Sequence, residues 1–256
     1  HPIFDGQGSY SIGCITIDPN QSSTIWVGTG ENNNQRSVGY GDGVYKSLDG
    51  GKSWKNMGLE ESEHISKIIV DPRNSDVVYV AAYGPLWSEG GDRGVYKSVD
   101  GGENWKQIHY ISENTGAADL VMDPTNPDIL YVAMHQRRRH VFTYIGGGPE
   151  SALYKTTDGG ESWEEAQKGL PVGKMGRIGL AISPVDANVV YAIVEAENDT
   201  SGFFRSTNKG ASWKKRSKHV TSGNYYQEII CDPLDVDKVF SMDTWLHHTE
   251  DGGKTF

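Results

Sequence analysis

Ser98-Val99-Asp100-Gly101-Gly102-Glu103-Asn104-Trp105 is the stretch on which the reading of this 256-residue chain turns. Its Asp can accept hydrogen bonds from backbone N–H groups of its own turn, and its Gly residues supply the positive φ of a tight connection. The aromatic opens the returning strand and covers the turn. The motif recurs four more times: Ser47 to Trp54 carries Asp49, Thr156 to Trp163 carries Asp158, and Thr249 to Phe256 carries Asp251. In Ser206 to Trp213, Asn208 replaces Asp and Lys209 replaces the first Gly. The aromatics Trp54, Trp105, Trp163, Trp213 and Phe256 lie 51, 58, 50 and 43 residues apart. A supersecondary unit of about 50 residues therefore repeats along the chain.

Working outward from each box, a short strand precedes it: Gly43-Val44-Tyr45-Lys46, Gly94-Val95-Tyr96-Lys97, Ala152-Leu153-Tyr154-Lys155 and Gly202-Phe203-Phe204-Arg205. Between boxes comes an apolar strand, an Asp-Pro or Ser-Pro turn, and a second apolar strand. Ile68-Ile69-Val70-Asp71-Pro72 followed by Val77-Val78-Tyr79-Val80 is one copy, and Leu180-Ala181-Ile182-Ser183-Pro184 followed by Val189-Val190-Tyr191-Ala192 is another. Such near-continuous apolar runs suit strands buried on both faces. Each repeat is thus four strands, a to d, with the Pro turn between a and b and the box between c and d. That is a β-propeller blade, and the fold is all-β, built of four-stranded antiparallel blades. The repeats fall at 10–58, 64–110, 116–168, 176–217 and 226–256, with residues 1–5 reading as an outer strand. Two architectures fit: a closed five-blade ring in which Ile3 and Phe4 pair with the strand of His247 and His248, or part of a larger propeller.

Composition agrees. Glycine makes up 32 residues, about 12% against a usual ~7%, and 7 Trp with 13 Tyr suit short strands joined by tight turns. With 24 Lys+Arg against 34 Asp+Glu the net charge is −10, the wrong sign for a nucleic-acid partner. The longest apolar run, Val77 to Tyr83, is far below the roughly 18–20 residues of a membrane span. Cys14 and Cys231 are too few for a disulfide scaffold, and their strand context predicts buried free thiols. No leader precedes His1, which reads as the start of a mature or excised piece.

The pattern S/T-x-D-G-G-x-S/T-W resembles the Asp-box or BNR repeat of sialidases, sortilin-type receptors and xyloglucan-cleaving hydrolases. Segments such as Gly28-Thr29-Gly30-Glu31-Asn32 and Gly146-Gly147-Gly148-Pro149 extend the resemblance to large bacterial sortilin-like and glycosyl-hydrolase-like propellers. The resemblance covers the whole chain and implies a secreted, periplasmic or cell-surface protein. Classical sialidase activity is not expected, because Arg177-Ile178 is followed by Gly179 where the sialidase segment has Pro.

In a blade the a–b and c–d turns share one face. Length varies instead in the b–c loops, at 28–42, 83–93, 134–151, 195–201 and 241–246, so ligand groups are expected there. Four residues before each turn Asp or Ser stand Cys14, Lys67, Asp119, Gly179 and Glu228. Buried charges need partners, which predicts Lys67 paired with Asp119 or Glu228. The alternative makes Asp119 and Glu228 a catalytic pair, requiring a separation of about 5–10 Å. Trp87, Tyr225, Tyr226 and Trp245 are candidate stacking platforms. Arg137, Arg138 and Arg139 are candidates to clamp a carboxylate or sulfate, and Lys67 and Arg177 complete the binding candidates. No metal-ligand spacing, nucleophile elbow or nucleotide fingerprint is present, so neither metal nor cofactor is expected. The expected function is a recognition or scaffold module for a protein, peptide or glycan, with further blades of the same polypeptide as other possible partners. The alternative is a glycoside hydrolase of xyloglucanase type, or part of one.

Overall fold

The computed structural model describes residues 2–256. Five antiparallel sheets follow one another along the chain. The first is β1 (Ile12–Ile17), β2 (Ile25–Thr29), β3 (Val44–Ser47) and β4 (Lys55–Asn56), in that order. The second is β5 (Ile65–Asp71), β6 (Asn74–Ala82), β7 (Gly94–Ser98) and β8 (Lys106–His109). The third holds β9 (Thr115–Met122), β10 (Leu130–Arg139), β11 (Tyr144–Gly146), β12 (Ala152–Thr156) and β13 (Glu164–Glu165). The fourth is β14 (Met175–Ile182), β15 (Val190–Ala196), β16 (Gly202–Ser206) and β17 (Lys214–Ser217). The fifth is β18 (Glu228–Cys231), β19 (Val239–Met242) and β20 (Leu246–Thr249). One 3-10 turn, Glu60–Ser62, is the only helix among the described residues. The fold is an all-β propeller of five blades.

The box turns form for the reasons their sequence gives. In the first box, Asp49 Oδ1 accepts the Ser47 hydroxyl at 2.8 Å and the Ser53 N–H at 2.9 Å, while Oδ2 accepts the Ser53 hydroxyl at 2.7 Å. The next residue ties each box to the a–b turn of its own blade. Gly50, Gly101, Gly159, Lys209 and Gly252 donate their N–H to the carbonyls of Ser23, Asp76, Asp128, Asn188 and Asp237, at 2.8–3.0 Å. Box turns and Pro turns therefore do share a face, and the b–c loops lie at the other strand ends.

The chain forms two compact units. Residues up to Leu120 with Arg138–Thr143 make the first, and Val121–Arg137 with Tyr144–Phe256 the second. In the first, Trp26, Ile65, Ile68, Val70, Val78 and Val80 form a buried core. Trp105 Nε1 donates to the Met57 carbonyl at 2.7 Å, stitching the box aromatic of one blade to the residue that follows the outer strand of the blade before it. The second unit repeats the device with Trp213 Nε1 and the Ala166 carbonyl, also at 2.7 Å. In four blades register also pairs the strand-b aromatic with a strand-c cation: Trp26 with Lys46 and Tyr79 with Lys97 in the first unit, Tyr131 with Lys155 and Tyr191 with Arg205 in the second. Each cation sits 4.7–5.5 Å from the ring centre, a favourable cation–π distance.

Three expectations are modified. Residues 2–5 form no strand, and His1 lies outside the described residues; Phe4 instead packs edge-on against Tyr45 and Trp54, both at 5.1 Å, and the Ile3 carbonyl accepts Trp54 Nε1 at 2.7 Å. The 134–151 segment is only partly loop, because β10 continues to Arg139 and β11 adds a short strand beside it. The burial expected of the apolar strand-a residues holds at Ile68 and Val70 in β5, whereas Ile15 and Ile17 in β1 are exposed. Neither cysteine is in a disulfide. Cys231 is buried, with its thiol pushed up to about 12 by burial, whereas Cys14 is half-buried.

Candidate functional site

Each unit gathers candidate residues at its b–c loop ends. In the first unit, the loop between β6 and β7 is wound around Arg93, which is fully buried. Its Nε donates to the Gly90 carbonyl at 2.7 Å, Nη1 to Tyr83 at 3.2 Å, and Nη2 to Pro85 and to Ser88, the latter at 2.8 Å. Gly84, at φ +76°, leaves the space that the arginine stem crosses: a Cβ there would stand 2.3 Å from Arg93 Cγ. Leu86 is buried beneath the loop and Trp87 is 42% exposed above it.

The segment 138–143 lies against this loop. The Arg139 N–H donates to the Leu86 carbonyl at 2.8 Å, and its Nε to the Asn34 carbonyl at 2.9 Å. Arg36 Nη1 donates to the Val141 carbonyl at 3.1 Å. Arg138 Nη1 donates to Asn114 Oδ1 at 3.2 Å and stands 3.9 Å from Glu89. Beyond these anchors Val141 and Phe142 are exposed, with Phe142 stacked on His140. At the strand end below, Lys67 Nζ lies 3.7 Å from Asp119 Oδ1, the pairing that the cost of burying charge predicts.

In the second unit Arg177, on β14, is buried. Its Nη1 donates to the Tyr225 carbonyl at 3.1 Å and its Nη2 stands 3.8 Å from Glu228. Gln227 donates back to the Arg177 carbonyl at 2.6 Å. Glu195 Oε2 accepts the Arg177 N–H at 3.4 Å, and burial raises this carboxyl above its ordinary range. His135 is buried and pushed down to about 3, first by burial and then by the charges of Arg137 and Arg177. Tyr225 and Tyr226 are each about half exposed, with ring centres 6.4 Å apart, and Trp245 is exposed.

The structure thus puts Lys67, Trp87, Asp119, Arg138 and Arg139 in the first unit and Arg137, Arg177, Tyr225, Tyr226, Glu228 and Trp245 in the second. The arginine run does not form a single clamp, because side chains alternate along extended β10: Arg137 and Arg139 are buried while Arg138 is half-buried. Asp119 and Glu228 each face a cation within their own unit, Lys67 and Arg177. Among the described residues no group of three or more His, Cys, Asp or Glu is placed to hold a metal ion. No helix there is long and apolar enough to cross a membrane.

Sequence reasoning missed Arg93 and Glu195. The available signal for Arg93 was the glycine frame of its loop, Gly84 and Gly90-Gly91, which marks a tightly wound segment. For Glu195 there was none beyond its place at the loop end of an apolar strand.

Comparison with known proteins fits this architecture. The chain is 22% identical over 294 residues to the xyloglucanase Xgh74A of Acetivibrio thermocellus, covering 100% of this chain and 33% of that protein. The GH74 enzyme of Niastella koreensis superposes with a TM-score of 0.67 at 21% identity, over 93% of this chain and 36% of its own. YCF48 from Cyanidioschyzon merolae superposes with a TM-score of 0.57 at 14% identity, over 97% and 70%. The chain spans a third or less of the length of the curated xyloglucanases it matches. The sequence pattern of the family described as sortilin, neurotensin receptor 3 matches residues 42–200, well over half of the chain. With box, blade and family pattern in agreement, the chain belongs to the Sortilin-Vps10 family.

Proposed function

We propose that this propeller is a polysaccharide-recognition module of a secreted or cell-surface protein, binding its glycan through the b–c loop side of the blades. The observation that carries this reading is Trp87, an exposed aromatic on a loop fixed from within by a buried arginine. A flat ring carried on a backbone that is already fixed offers a surface for the C–H face of a sugar, and little backbone ordering remains to be lost on binding. Tyr225 and Tyr226 offer further aromatic surface in the second unit. The resemblance to a xyloglucanase along the whole chain makes a β-linked plant-type polysaccharide the first ligand to test.

The similarity that spans this chain and a third of a xyloglucanase favours a second reading, a glycoside hydrolase or one part of one, in which Asp119 or Glu228 supplies a carboxylate. One experiment separates the two: affinity electrophoresis and calorimetry against xyloglucan, mixed-linkage β-glucan and mannan, with mass spectrometry of the supernatant. The expected result is retardation without released oligosaccharide. Oligosaccharide release that collapses in Asp119→Asn or Glu228→Gln variants of unchanged circular dichroism establishes the hydrolase instead. Failure to bind any polysaccharide overturns the glycan reading in favour of a protein or peptide ligand.

A further inference from the structure

We infer that Arg93 is the positioning residue of this recognition surface, the template around which loop 83–93 folds so that Trp87 faces outward and Leu86 receives the 138–143 segment. The inference rests on the polysaccharide reading for its ligand but not for its geometry.

Four donated hydrogen bonds from one guanidinium end on four carbonyls of the same loop, at Tyr83, Pro85, Ser88 and Gly90. These carbonyls come from residues three to ten positions before Arg93, so no local turn brings them together. They converge because a planar fork with five N–H donors sits at their centre. Such convergence in a buried site is costly without the cation, since four carbonyl dipoles would then face one another unpaired. Residues 85 to 90 are thus fixed from the inside, and Trp87 lies between two of the bonded carbonyls.

The template also acts beyond its own loop. The Leu86 carbonyl lies between the bonded carbonyls of Pro85 and Ser88 and is turned to the Arg139 N–H. Loop 83–93 is therefore also a docking strip for the segment carrying Val141 and Phe142. The Arg93 carbonyl accepts Gln107 Nε2 at 2.8 Å, which anchors the template to β8. The neighbouring loop 28–42 is organised differently, around the Glu31 carboxylate, which accepts the Gly39 N–H at 3.0 Å and Asn33 Nδ2 at 3.3 Å. The arginine device thus organises loop 83–93 and not the neighbouring loop 28–42.

Lysine cannot replace it, because one ammonium carries three donors at a single point and cannot span four acceptors. The test uses the whole chain labelled with 5-fluorotryptophan, the Trp87 resonance being assigned from Trp87→Phe. In the parent protein Trp87 should give one narrow, shifted line. In Arg93→Ala and Arg93→Lys that line should broaden or move to the free-tryptophan position while the other six tryptophans keep theirs. Polysaccharide affinity should fall about tenfold or more in both variants, the order expected when an aromatic platform is lost. Millimolar ethylguanidinium should restore line and affinity in Arg93→Ala, which simple destabilisation would not allow. An unchanged Trp87 line in both variants overturns the inference, as does full affinity despite a broadened line. If the parent chain binds no polysaccharide, the glycan reading fails, and the fluorine spectrum alone decides whether Arg93 positions Trp87. Should Arg93→Ala not fold, Arg93→Lys carries the same readouts.

Discussion

A carboxylate that accepts three or four short hydrogen bonds at the surface of a turn is a pH-dependent fastener. Asp49 is held at about 2 by the Ser53 hydroxyl and N–H and the Ser47 hydroxyl, and Asp100 at about 2 by Asn104 and Ser98; Asp158 and Asp251 are shifted in the same direction. Each folded-state pKa lies below the unfolded value near 3.9, so the contribution to stability is complete above about pH 4 and disappears as pH falls towards 2. Asn208 shows how the fastener works without ionisation: its Oδ1 accepts the Ser206 hydroxyl and the Ser212 N–H, and its Nδ2 donates to the Ser212 hydroxyl. Asp49→Asn is therefore expected to retain the fold at pH 7 and to flatten the acid limb. Urea midpoints at pH 4, 3 and 2 check this, an unaltered slope refuting it. The box was legible in the sequence because all its chemistry lies within eight contiguous residues.

Elements are joined by less local chemistry. Lys209 occupies a glycine position of the fourth box at φ +54°, a conformation costing a non-glycine residue ~1 kcal/mol. Its ammonium reaches Asp123 Oδ2 at 2.8 Å, and that carboxylate, almost wholly buried, remains below its ordinary range although burial opposes ionisation. Lys209→Gly relieves the backbone but removes the cation from Asp123 Oδ2, leaving the carboxylate only its Oδ1 bonds from Thr125 and Asn126, with a net expected loss of about 1–2 kcal/mol once the partial exposure of the lysine is allowed for. Equilibrium denaturation measures it, and a gain in stability would show that backbone strain dominates. The run Arg137-Arg138-Arg139 illustrates what spacing hides at this scale. Adjacent arginines suggest a surface cluster, yet an extended strand sends them to alternate sides, and only the length of β10, which no turn residue before Arg139 interrupts, decides that outcome.

For the molecule as a whole, three histidines set an earlier pH limit than the boxes. His109 and His219 are pushed down to about 4 and His135 to about 3, in each case first by burial. A base whose folded pKa lies below its unfolded value near 6.5 contributes stability that is complete above about 6.5 and declines as pH falls towards 3–4. Guanidinium midpoints should therefore drop between pH 7 and 5, where the box carboxylates are still charged. A flat profile over that range would mean these rings are solvated in the native state.

At this scale the propeller was readable because a fixed period of turns admits few architectures, and the Lys67–Asp119 pair because register and the cost of buried charge together demand a partner. The setting of Trp87 was not readable. Its support is four carbonyls gathered by loop closure around Arg93, and carbonyls carry no sequence identity. Glu195 escaped for a similar reason: it meets the backbone of Arg177 through a register that only the paired strands β14 and β15 define.

The tie between each box and the Pro turn of its own blade has a consequence for engineering. Because that face is fastened blade by blade through backbone groups, each blade has a tie that does not depend on its b–c loop. Grafting the 83–93 loop, which contains Arg93 and Gly84, together with its anchor Gln107 into another blade should transplant a tryptophan platform, making the scaffold a rack on which specificities can be exchanged singly.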